Sequence, residues 1–97
     1  MREIFLYGAG GYGKTALDCF LNHNSLEMIV GIIDNNPGLQ NMTIFNKPIY
    51  SYGDAKNRIN SNSLVLITVE LEIALEIAKE LRNDGIICYL FWACEQY

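Results

Sequence analysis

Between Leu6 and Thr15 the chain reads LYGAGGYGKT, and two phosphate-binding spacings overlap there. Gly8, Gly10 and Gly13 spell G-x-G-x-x-G, whereas Gly8, Gly13, Lys14 and Thr15 spell G-x-x-x-x-G-K-T. Either pattern turns backbone N–H groups and the positive end of a helix toward a bound anion. In the first, Gly8 makes the tight turn, Gly10 lets phosphates approach the backbone, and Gly13 lets the helix pack on the strand. In the second, Lys14 reaches a β- or γ-phosphate and Thr15 holds magnesium.

The two readings need different acids. The dinucleotide pattern requires one at the end of the second strand, about 20 residues on, to accept bonds from ribose hydroxyls. Asp34 lies 21 positions after Gly13 and directly follows the apolar run Met28 to Ile33. A carboxylate there also disfavours a 2′-phosphorylated ribose. The P-loop pattern needs a metal-positioning acid at another strand end, a part that only Asp34 or Glu70 could play. It also usually needs a larger sheet than 97 residues supply. The dinucleotide reading is therefore preferred. A P-loop ATP-binding domain and a purely structural glycine turn are the alternatives.

On this reading Gly8, Ala9, Gly10, Gly11, Tyr12, Gly13 and Lys14 are the candidate phosphate contacts. Asp34 and Asn35 are the candidates for ribose and base, and Thr68 and Val69 line the cleft at the strand ends. Asp34, rather than Lys14, is expected to discriminate between nucleotides, because charge-assisted bonds outweigh a flexible screened cation. Asn35-Asn36-Pro37-Gly38 is equally what a tight turn requires. His23 reads as a helix cap or surface residue, and Glu70 has no acid–base partner. No catalytic residue and no metal ligand are assigned.

Alternating elements must position these residues. Glu3 to Tyr7, Met28 to Ile33, Leu64 to Val69 and Ile86 to Trp92 are short apolar runs that read as strands. Lys14 to His23 is an amphipathic helix. Glu70 to Asp84 is a second, with Leu71, Ala74, Ala78 and Leu81 in one stripe and Gly85 at its left-handed end. Leu39 to Ser63 holds a small ribbon or edge strand and a brief helix near Tyr52 to Ile59. The expectation is a single α/β domain over residues 1–97, three-layered and Rossmann-like. Its small parallel sheet has about four strands, with Glu3–Tyr7 central between Met28–Ile33 and Leu64–Val69.

Composition narrows the function. Seven Lys and Arg among eleven acids give a net charge of −4, with no basic stripe for a nucleic acid or an anionic membrane. The opening apolar run falls well short of the roughly 20 residues that span a bilayer, and buried or semi-buried thiols in a cytoplasmic protein are the plain reading of the cysteines. Cys19, Cys88 and Cys94 read as thiols, and His23 alone does not complete a zinc site with them.

The segments YGAGGYGK, IVGIIDNNP, KPIYSY and VLITV together resemble the N-terminal Rossmann-like domain of bacterial sugar O-acyltransferases. The likeness runs from Arg2 to about Trp92. Those enzymes acetylate nucleotide-linked sugars for glycan synthesis, and similar small domains precede other transferase modules of polysaccharide biosynthesis. The resemblance implies that Gly8 to Gly11 and Asp34-Asn35 lie along a nucleotide-sugar, UDP-linked above all, with NAD as the alternative ligand. The family's hexapeptide-repeat β-helix, which carries its catalytic histidine and acetyl-CoA site, has no counterpart in these residues. Many members have His where this chain has Tyr12. The resemblance thus implies binding without catalysis, in company with a catalytic partner domain or further copies. An interaction or regulatory domain with a vestigial Rossmann-like fold is the competing class.

Overall fold

The computed structural model describes residues 2–91. Strand β1 (Glu3–Tyr7) leads through the glycine turn into helix α1 (Gly11–Asn22). Helix α1 begins ahead of Lys14 because Gly11 and Tyr12 already adopt helical geometry behind the extended residue Gly10. At its far end the backbone N–H and the ring Nδ1 of His23 both meet the Cys19 carbonyl, and Asn24 turns the chain with φ 55°. A single 3₁₀ turn at Leu26–Met28 delays β2 to Ile29–Ile33.

Next come β3 (Thr43–Ile44), β4 (Lys47–Tyr50) and the short helix α2 (Tyr52–Lys56). Strand β5 (Ser63–Ile67), helix α3 (Leu71–Asn83) and β6 (Cys88–Leu90) follow. Gly85 takes φ 76° after α3, and Ile86 N–H reaches back to the Leu81 carbonyl, so the expected left-handed end is present.

The sheet order is β3-β4-β2-β1-β5-β6. Strand β1 is central and parallel to both β2 and β5, while among the described residues only β3 runs antiparallel, against β4. Among the described residues the sheet has six strands rather than about four, because the expected ribbon is a hairpin whose β4 joins β2 in parallel. Strand β5 stops at Ile67, leaving Thr68 and Val69 just beyond its end, and β6 is shorter than the Ile86–Trp92 run. Trp92 and Cys94 lie outside the described residues.

Alternation along β1 divides the core into two layers. Ile4 and Leu6 pack with Ala16 and Leu17 of α1, whereas Phe5 and Tyr7 pack with Tyr52 and Ala55 of α2 and Ala74, Ala78 and Leu81 of α3. This is an αβα sandwich with its glycine turn at the carboxyl edge of the sheet. Cys88 is a buried free thiol, as expected. Among the described residues no helix is long and apolar enough to cross a membrane.

Candidate functional site

Three strand ends meet around the glycine turn. Gly8 leaves β1 with φ 123°, and a Cβ on it would stand 2.6 Å from Val69 Cγ1 and 2.7 Å from the Thr68 carbonyl oxygen. Gly13 faces the Gly8 carbonyl from the first turn of α1, where a Cβ would lie 2.1 Å from that oxygen. Two of the three motif glycines are thus required by close backbone approach. Gly10 and Gly11 differ: a Cβ on either would have no neighbour within 4 Å. They form the open side of the turn.

That open side carries donors. No side chain caps α1, and Lys14 N–H makes the first intrahelical bond, 3.0 Å to the Gly10 carbonyl. The N–H groups ahead of it are those that any α-helix leaves without an intrahelical acceptor. Tyr12 is 52% exposed beside them, and the Lys14 side chain is also exposed.

Asp34 stands against this turn, as its position at the end of β2 requires. Its Oδ2 accepts the Ala9 N–H at 3.0 Å and its Oδ1 accepts the Asn36 N–H at 2.9 Å. Ala9 N–H, one of the candidate phosphate donors, is therefore already engaged. Asn35 turns the other way: its Oδ1 accepts Tyr52 N–H at 2.8 Å and so ties the end of β2 to the start of α2. Behind it, burial and the nearby Glu80 and Asp34 carboxylates push the Tyr7 hydroxyl pKa up, against a lowering hydrogen bond from Asn35.

Thr68 and Val69 close the third side. Thr68 is 1% exposed, and its hydroxyl lies 3.0 Å from the Tyr7 carbonyl and 2.9 Å from that of Gly8. It lines the site through its backbone while its side chain points into the protein. Val69 is half-buried beside Gly8. Sequence reasoning missed this inward role of Thr68, since a threonine after a strand carries no sign of its direction. It also missed Gln40, whose Nε2 donates to the carbonyls of Asp34 (2.6 Å) and Asn36 (3.1 Å) and closes the loop after β2.

Among the described residues no group of three or more His, Cys, Asp or Glu side chains could hold a metal ion. Thr15 Oγ1, the magnesium ligand of the P-loop alternative, donates instead to the Gly11 carbonyl at 3.0 Å.

A central β1, a glycine turn opening α1 and an acid closing β2 define a Rossmann-like domain. The chain belongs to the PglD N-terminal domain family, whose model matches residues 3–69. PglD is an acetyltransferase of glycan biosynthesis, so this is a domain of the kind associated with sugar acyltransferases. The chain is also similar to the redox-sensing transcriptional repressor Rex of Oenococcus oeni, with 27% identity over 93 residues. That match covers 89% of this chain and 42% of the repressor, so the chain spans less than half the length of this curated relative.

Proposed function

We propose that this domain binds a nucleotide-linked sugar, UDP-linked above all, on behalf of a sugar-modifying transferase in glycan or polysaccharide biosynthesis. It holds the ligand and leaves acyl transfer to a catalytic module or partner, and it works in the cytoplasm, where nucleotide-sugars are consumed. The observation that carries this reading is the open face of the turn at Gly10 and Gly11, ahead of an uncapped helix. A diphosphate there meets backbone donors and the positive end of α1 with no side chain in the way. Membership of a family named for an acetyltransferase of glycan biosynthesis supports the sugar half of the ligand.

A second reading is favoured by the likeness to a redox-sensing repressor. In it the ligand is NAD and the domain is regulatory. Titration calorimetry with UDP-N-acetylglucosamine, UDP, NAD and ATP separates the two. Binding of the UDP ligands in preference to NAD is the expected result; NAD binding alone supports the regulatory reading. No heat with any of the four at millimolar concentration removes nucleotide binding altogether.

A further inference from the structure

We infer that Asp34 and Thr68 are positioning residues that clamp the glycine turn from two strand ends and set its donors before a ligand arrives. The inference rests on the reading of that turn as the phosphate site. From the β2 side, Asp34 holds the Ala9 N–H. From the β5 side, the Thr68 hydroxyl shares its one proton between the Tyr7 and Gly8 carbonyls, 3.0 and 2.9 Å away, and the Thr68 N–H donates to the Tyr7 carbonyl at 2.9 Å. Gly8 N–H is fixed on the Ile33 carbonyl at 2.8 Å. The polar backbone atoms of Gly8 and the N–H of Ala9 are therefore committed inward, and the open side of the turn lies at Gly10 and Gly11.

The physical reason for such a clamp is entropy. Glycines lose more conformational freedom on ordering than any other residue. A turn that contains Gly8, Gly10, Gly11 and Gly13 would bind weakly if a ligand had to order it. Bonds made within the free protein remove that cost from the binding step. The clamp also recasts Asp34. Spacing alone made it a ribose acceptor, yet both of its oxygens already serve backbone donors.

Pyrophosphate, which has no ribose, distinguishes the two roles. Its affinity and that of UDP are measured by calorimetry on the full chain and on Asp34→Ala, Thr68→Val and Thr68→Ser, at high salt to screen the loss of the Asp34 charge. A clamp predicts that Asp34→Ala and Thr68→Val each weaken both ligands alike, by about tenfold for a lost hydrogen bond, and that Thr68→Ser restores most of it. Pyrophosphate affinity within twofold of wild type in both variants, with UDP reduced in Asp34→Ala, would return Asp34 to the ribose and overturn the inference. Amide exchange of the free protein gives a second readout. Protection of Ala9 N–H should fall by about tenfold or more in Thr68→Val, although the structure shows no bond from Thr68 to Asp34. Unchanged protection sinks the clamp. If wild type binds neither ligand, the phosphate-site reading fails, and the exchange measurement still decides the clamp. Should Thr68→Val not fold, Asp34→Ala is read against pyrophosphate and UDP in the same way.

Discussion

Gly13 in α1 and Gly8 at the end of β1 meet backbone to backbone, so that a methyl group on Gly13 would stand 2.1 Å from the Gly8 carbonyl oxygen. Helix α1 would have to retreat from the sheet to admit it. Gly13→Ala should therefore lower stability by about 1–3 kcal/mol or more, as overpacked sites do. Gly10→Ala, at φ −79° with open space around it, should leave stability within about 0.5 kcal/mol while weakening nucleotide binding. Urea unfolding and calorimetry on the two variants test the contrast. Equal stability losses would show that the close approach of Gly13 does not set the helix position.

Magnesium should make no difference to the ligand. Thr15 spends its hydroxyl proton on the Gly11 carbonyl, and Lys14 is solvent-exposed. Thr15→Ala and Lys14→Ala are expected to change nucleotide affinity by less than about tenfold, with or without magnesium. A magnesium requirement lost in Thr15→Ala, or ATP hydrolysis lost in Lys14→Ala, would restore the P-loop reading.

Tyr52 and Asp84 give the domain a pH signature. The Tyr52 hydroxyl donates to Asp84 Oδ2 at 2.5 Å, and Lys56 lies 3.4 Å from the same oxygen. Accepting the Tyr52 bond lowers the Asp84 pKa from its ordinary 3.8, with Lys56 adding to the effect. The stability linked to Asp84 is thus present above pH 3.8 and fades as pH falls through the lowered value. Burial first, and then the bond to Asp84, raise the Tyr52 pKa above 10.0. The stability linked to Tyr52 is complete below pH 10.0 and is lost as pH climbs through the raised value. Tyr52→Phe should flatten the stability profile at both ends. Urea midpoints at acid, neutral and alkaline pH check this, and an unchanged acid limb would exclude the Tyr52 bond as its cause.

The hairpin between β3 and β4 turns on Phe45 and Asn46, at φ 53° and 63°. Two positive φ values in a two-residue loop fit the type I′ turn, for which Asn-Gly is the favoured pair. Phe45 is 41% exposed, so its strain is only partly offset by burial. Phe45→Asn should raise stability, by about 0.5–1 kcal/mol, and thermal unfolding will show it. A drop in melting temperature would mean that the ring contributes more by packing than the turn loses by strain.

That turn also explains where sequence reading stopped. Apolar runs disclosed β1, which stops at Gly8, β2, which stops before Asn-Asn-Pro-Gly, and β5, and the Ala74, Ala78 and Leu81 stripe disclosed α3, because burial there follows local sequence pattern. Leu71, counted in the same stripe, is 46% exposed at the first turn of its helix. Phe45-Asn46 carries no turn signature, so the ribbon was visible only as a vague edge. Spacing placed Asp34 and Asn35 at the site but did not show their direction, which depends on backbone donors 25 and 17 residues away in sequence. Which residue type stands at a strand end is legible in the sequence; its orientation is a tertiary property.

The bond from Thr68 to the Tyr7 carbonyl spans 61 residues, whereas the bond from Ala9 to Asp34 spans 25. During synthesis the glycine turn, its helix and its acid all emerge before β5 does. A nascent chain that ends ahead of Ser63 has the complete phosphate motif but lacks the strand that pairs with β1 from Glu3 to Tyr7. Long-range strand pairing of this kind is slow to form. The contacts of Thr68 with the glycine turn therefore form only after β5 has emerged, dozens of residues after the turn's own sequence has left the ribosome.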